Sequence, residues 1–270
     1  MTDVTQAARK ASRSDAMEGG ARLGLAARAS IYLVMGLLAL AVALGHSRSE
    51  TDQRGAIKAV AQQSGGRLLL VVLAVGFAGY ALWRFSEAAF GVVGDGTGLG
   101  PRLKSLARGV VYASFAVTTV AILVGSGGSG SQASQQQGLT AKVMAHAGGR
   151  YLVGAVGLVV LVVGGTMVFE GVTRKFEKYL RMTQMSAATR VVVEKLGVVG
   201  TVARGLVIGL AGLLVLDAAV TYQPQKARGL DGALRTLAGQ PYGKVLLVVA
   251  ALGLVTFGLY GYAEARWHRT

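Results

Sequence analysis

The chain has 270 residues, 52% of them hydrophobic and 15% charged, with a formal net charge of +15 and no cysteine. Apolar content of that order, gathered in long uncharged runs, excludes an ordinary soluble domain and points to a polytopic membrane protein. The missing thiol excludes disulfides, zinc thiolates, iron–sulfur clusters and a cysteine nucleophile. Lys and Arg are spread beside apolar runs with no long basic tract, which argues against nucleic acid as a partner and for an orienting role at a membrane.

Residues 1–25 carry Arg9, Lys10, Arg13 and Arg22 with Asp3, Asp15 and Glu18 and no apolar core, so they read as a polar cytoplasmic tail. Six runs of membrane-spanning length follow, at about 26–45, 67–90, 107–125, 150–170, 198–221 and 244–264, and each is read as a helix. Pro101, Pro224 and Pro241 all fall outside these runs, leaving the helices unbroken. The first run ends in small residues like a signal peptide, but its internal counterparts argue that it is retained.

Those counterparts form a threefold repeat. Ala27-Arg28 with Tyr32, Ala107-Arg108 with Tyr112, and Ala203-Arg204 with Ile208 open the odd spans. Arg67 with Glu87, Arg150 with Glu170, and Lys244 with Glu264 frame the even spans at one constant spacing. Between them, the patches beginning at Lys58, Lys142 and Arg235 predict a short surface helix in every unit. The fold class is therefore an all-α membrane protein, six transmembrane helices in three tandem hairpins with pseudo-threefold symmetry about the membrane normal. Residues 26–91 form hairpin 1 and 92–171 hairpin 2. Residues 172–270 contain an amphipathic cytoplasmic segment, hairpin 3 and a short basic C-terminus. Gly157, Gly164 and Gly171 share one helix face, and Gly205 with Gly209 allows close backbone approach.

With the N-terminus inside, 18 of the 28 Lys and Arg residues face the cytoplasm, which predicts cytoplasmic termini in a multi-pass membrane protein. The repeated hairpins, the GYALWRFSEAAFG ending of residues 79–91 and the ARGLDGALRTLAGQPYGKVLL stretch of the third unit resemble the bacterial membrane family called domain of unknown function 1206. The resemblance covers nearly all of residues 20–267. It implies three two-helix units and an envelope location, and it supplies no catalytic residue.

Charged residues in the spans are the candidate sites. Glu87, Glu170 and Glu264 end the even spans at the level where Arg28, Arg108 and Arg204 begin the odd ones, so each acid is expected to meet the arginine of its own hairpin. Arg84, Arg174 and His268 are the local alternatives on the same helices, and a proton or ion relay is the functional one. Asp217 is the candidate intramembrane functional acid. Ala41 and Ala121 occupy its position in the other units, and Lys226 and Arg228 are within reach if it snorkels outward.

Gly94–Gly100 lacks the spacing of a phosphate loop, and residues 125–138 read as a solvated linker. His46, His146 and His268 do not share a helix at ligand spacing, so no metal or haem site is expected and no cofactor is assigned. Residues 172–182 alternate bases with Phe176, Tyr179, Leu180 and Met182, which suits a helix lying on an anionic inner leaflet, with a partner-binding helix as the alternative reading of the same segment. The expected partners are the lipid bilayer and other membrane proteins. The expectation is a non-enzymatic structural or accessory membrane component, with a transporter or channel for a small solute, ion or lipid as the alternative.

Overall fold

The computed structural model describes residues 15–46, 50–91, 98–126 and 131–268, with side chains from residue 19 onward. Its helices are α1 (Asp15–Ala43), α2 (Gln53–Ala61), α3 (Gly66–Phe90), α4 (Leu99–Leu123), α5 (Gln132–Met144), α6 (Gly149–Val172), α7 (Ala187–Thr221), α8 (Gly229–Ala238) and α9 (Gly243–Trp267). Six of them, α1, α3, α4, α6, α7 and α9, are long and apolar enough to cross a membrane. They pair as three tandem hairpins, α1 with α3, α4 with α6 and α7 with α9. The short helices α2, α5 and α8 join the members of each pair at one end of the bundle, called here the capped end. The opposite end, which carries Arg28, Arg108 and Arg204, is the arginine end.

The first spanning helix of each unit begins earlier than hydropathy predicts. α1 starts at Asp15, α4 at Leu99 and α7 at Ala187, because a helix runs on through polar turns outside the hydrocarbon where nothing breaks it. Pro101 lies in the first turn of α4, where its missing N–H costs no hydrogen bond. The polar tail is correspondingly shorter than expected: Ala21 and Leu25 are fully buried in the bundle, and residues 1–14 lie outside the described residues. The solvated linker is shorter too, since Ser131 caps the Ser134 amide and α5 begins at Gln132.

One turn recurs at the start of the second spanning helix of every unit, α3, α6 and α9. Gly65 and Gly148 adopt left-handed φ of 79°, and Tyr242 takes the equivalent place at 62°. The residue after each, Gly66, Gly149 and Gly243, leaves no room for a Cβ against the carbonyl oxygens of Val60, Val143 and Ala238. The short helix can therefore fold back tightly onto the long one only with glycine there.

The segment after α6 corrects the surface-helix expectation. It makes two 3-10 turns, Lys175–Tyr179 and Met182–Gln184, not an α-helix on lipid. Phe176 packs at 5.3 Å on Tyr260, Leu180 is fully buried, and the Arg181 amide donates to the Trp267 carbonyl, tying the segment to the end of α9.

At the capped end, the Asp231 carboxylate of α8 accepts from the Thr51 amide and hydroxyl, both at 3.0 Å, and from Arg235 at 2.7 Å. Asp52 caps α2 by accepting from the Gly55 amide at 2.9 Å. Burial pushes the Asp52 carboxyl up from 3.8 to about 6; Glu50 and Asp231 add to the rise, and the Gly55 and Arg54 amides oppose it. A raised folded value favours the protonated acid, so that stabilisation is complete below about 3.8 and lost as pH rises through about 6. Asp52→Asn keeps the capping oxygen without the charge. It is expected to stabilise the protein by about 2–3 kcal/mol near pH 8 and by little near pH 4, read as unfolding midpoints in detergent across that range. Equal gains at both ends of the range would contradict a buried ionisable cap.

Candidate functional site

Packing at the arginine end is set by which helices touch. The most extensive contacts run between successive units, α3 with α4, α6 with α7 and α9 with α1. Within a unit, α1 packs on α3 and α7 on α9. Among the described residues there is no extended contact between α4 and α6, so the ring of six helices is open on one side.

The repeat itself explains the opening. In hairpin 1, Gly24 lies against Tyr80 and Gly76 against Ala27; in hairpin 3, the corresponding Gly200 lies against Phe257 and Gly253 against Ala203. In hairpin 2 the same positions are Lys104 and Val163, then Val159 and Ala107. A lysine and a valine in place of two glycines hold the helices apart, because close approach of membrane helices needs small residues at the crossing. Lys104 instead reaches across the gap to Glu170 at 3.7 Å.

Charges then pair differently from the expectation of one acid and one arginine per hairpin. Arg28 donates to Glu264 at 2.5 Å, a bond from unit 1 to unit 3 across the α9–α1 seam. The reason is proximity: α1 lies closer to α9 of the neighbouring unit than to α3 of its own. The equivalent bonds at the other two seams would join Glu87 to Arg108 and Glu170 to Arg204, and neither forms among the described residues. Glu87 is taken by Arg84 at 2.6 Å and by the Ser105 hydroxyl at 3.1 Å. Glu170 is taken by Lys104. Arg84 corresponds to Met167 and Gly261 in the other units, and Lys104 to Gly24 and Gly200, so each diversion comes from a residue that one unit alone carries.

Aromatic rings hold the arginines that remain. Arg204 sits 4.8 Å from the Tyr32 ring centroid and 4.6 Å from that of Phe257, and Arg28 lies over the same Phe257 ring at 5.6 Å. Arg84 lies 4.2 Å from Trp83 and donates to the Tyr80 hydroxyl at 2.7 Å. Tyr80 packs edge-on to Tyr112 at 4.4 Å, one turn along α4 from Arg108. Arg108 shares its helix face with Lys104 and is exposed along the open side. It lies within electrostatic reach of Arg28, Arg84 and Arg204. The Nε atoms of Arg28, Arg84 and Arg204 are buried without an acceptor among the described residues. The arrangement is a cluster of four guanidiniums against two carboxylates, Glu87 and Glu264, with an open flank.

Residues 23–91, 103–174 and 199–268 each match the family model described as Domain of Unknown Function, DUF1206. The chain belongs to the DUF1206 family. Similarity to the uncharacterized protein YxxB of Bacillus subtilis (strain 168) extends over 256 residues at 30% identity, covering 92% of each chain. No solved structure matches the chain. The three family matches coincide with the three hairpins, so the family unit is one pair of spanning helices with its short connecting helix.

Asp217 lies apart from this cluster, near the capped end of α7. It pairs with Lys226 at 2.8 Å, and with its side chain 46% exposed the bond has a surface character. The sequence pointed to the three arginines of the repeat and to the three glutamates. It did not single out Lys104, Tyr80 or Phe257, and it gave Arg84 only a local role; the signal that would have found Lys104 is the departure from glycine at its repeat position.

Proposed function

We propose that this protein is a non-enzymatic structural or accessory component of the bacterial cytoplasmic membrane, with both termini in the cytoplasm. The observation that carries the reading is the filled apolar interior between the two polar ends. Met35, Leu73, Phe77, Leu247, Ala251 and Leu254 are buried there, and the buried Thr119 hydroxyl is turned back onto the Phe115 carbonyl of its own helix. Such a core supports holding six helices in register more than passing a solute. The excess of Lys and Arg at the arginine end supports placing that end in the cytoplasm. Asp217, half-exposed and bonded to Lys226, fits a helix-end contact more than a carrier site.

Single cysteines test both parts, since the chain has none of its own. In intact cells, an impermeant maleimide is expected to label cysteines at Ser131 and Gln225 and to leave one at Met185 unlabelled. The same proteins in liposomes are expected to show no ion or solute flux above empty vesicles. Labelling at Met185 from outside overturns the orientation, and a flux abolished by Asp217→Asn overturns the accessory role.

A further inference from the structure

Hairpin 2 is the one unit whose helices stand apart, and it stands apart at the level of the arginine cluster. Arg108 and Arg204 are the two members of that cluster that lost their carboxylates, to Arg84 and to Lys104 respectively. Arg28 and Arg84 hold Glu264 and Glu87, which leaves Arg108 and Arg204 without a carboxylate of their own among the described residues. An unbalanced guanidinium at membrane depth is costly, and buried Nε donors without acceptors add to the cost. The charge cost falls if an anion occupies the opening. Guanidinium pairs favour phosphate, whose oxygens accept two parallel N–H bonds.

The position selects the source of that phosphate. About 22 Å of helix separates Arg108 from the capped end of α4, which puts its guanidinium in the last quarter of a hydrocarbon core about 30 Å thick, within snorkelling reach of lipid headgroups. The flank beyond it is apolar. Val159 and Val163, which replace the inward-packing Gly76 and Tyr80 of hairpin 1, are 61% and 45% exposed. We propose that the opening between α4 and α6 binds an anionic phospholipid, its phosphate held by Arg108 and Arg204 and its acyl chains against Val159 and Val163. Lys104 stands at the mouth, and its long ion pair to Glu170 is the contact that an entering headgroup displaces. The inference rests on the membrane-embedded reading and is independent of the accessory role and of the orientation.

The test is native mass spectrometry of the full chain purified in detergent, titrated with phosphatidylglycerol, with phosphatidylcholine of the same acyl chains, or with inorganic phosphate. Phosphatidylglycerol is expected to be retained about tenfold more strongly than phosphatidylcholine, and Arg108→Gln with Arg204→Gln is expected to erase that difference. Glu170→Gln, at a partly exposed site, is expected to free Lys104 and raise phosphatidylglycerol retention about twofold or more. Lys104→Gly restores the residue of the other units and is expected to lower retention, so two mild variants carry the test if the double variant does not fold. Equal retention of the two lipids, retention indifferent to these variants, or displacement by inorganic phosphate, which would mark a soluble-anion site, overturns the proposal. Failure of the membrane reading itself would show separately, as release of the chain from membranes by alkaline wash without detergent.

Discussion

Removing the Arg28 side chain is expected to destabilise the protein by about 3–5 kcal/mol, because it leaves Glu264 charged and buried without its partner. Both side chains are enclosed, at 9% and 14% exposure, so solvent does little to screen the loss. In a double-mutant cycle, Arg28→Ala with Glu264→Ala is expected to show a coupling of about 1–3 kcal/mol, while Arg28→Ala with Glu87→Ala is expected to be additive. Denaturant unfolding in mixed micelles, followed by circular dichroism, provides the measurement. The two cycles separate a bond across the α9–α1 seam from a bond within hairpin 1. Coupling of Arg28 to Glu87 equal to or above its coupling to Glu264 would contradict the geometry. Lys104→Ala serves as an internal scale: its bridge to Glu170 is 55% exposed on the lysine side, and its loss is expected to cost less than about 1 kcal/mol.

The contrast between these cycles shows what the repeat made legible and what it did not. Spacing along the chain fixes depth: Glu87, Glu170 and Glu264 come at one distance from the start of their helices, and Arg28, Arg108 and Arg204 hold one common place in the repeat, each four residues before Tyr32, Tyr112 and Ile208. Three hairpins, one polar end and the three short connecting helices all follow from that. Which acid meets which arginine depends on the angle around the bundle, and that angle is set by seam packing that no spacing reports. Glycine decides the seams, and one lysine at a glycine position opens hairpin 2. Residues 172–182 were misleading for a related reason. Alternating bases and apolar groups describe a peptide that covers an apolar surface, and here Phe176 and Leu180 cover the protein itself.

The seam between α6 and α7 should be the one least tolerant of a side chain. A Cβ at Gly164 would lie 2.5 Å from the Gly209 nitrogen and 2.7 Å from the Gly205 oxygen, and these are backbone atoms that cannot rotate away. Gly205 meets the reciprocal limit, with the Gly164 oxygen at 2.8 Å. Gly258 occupies the same repeat position on α9, where a Cβ would lie 2.7 Å from the Leu33 nitrogen of α1. Lipid removes the hydrophobic drive for helix association, so the closeness of these backbones is itself a main source of cohesion. Gly164→Leu is therefore expected to separate α6 from α7 and cost about 3 kcal/mol or more, even though leucine is the better helix former and the more lipid-soluble residue. The adjacent Gly165 has open space at its Cβ, and Gly165→Leu is expected to stay within about 0.5 kcal/mol of the parent. The two variants share composition, depth and helix and differ only in the face that carries the leucine. Equal midpoints in the same micelle unfolding assay would mean that glycine contact does not hold units 2 and 3 together.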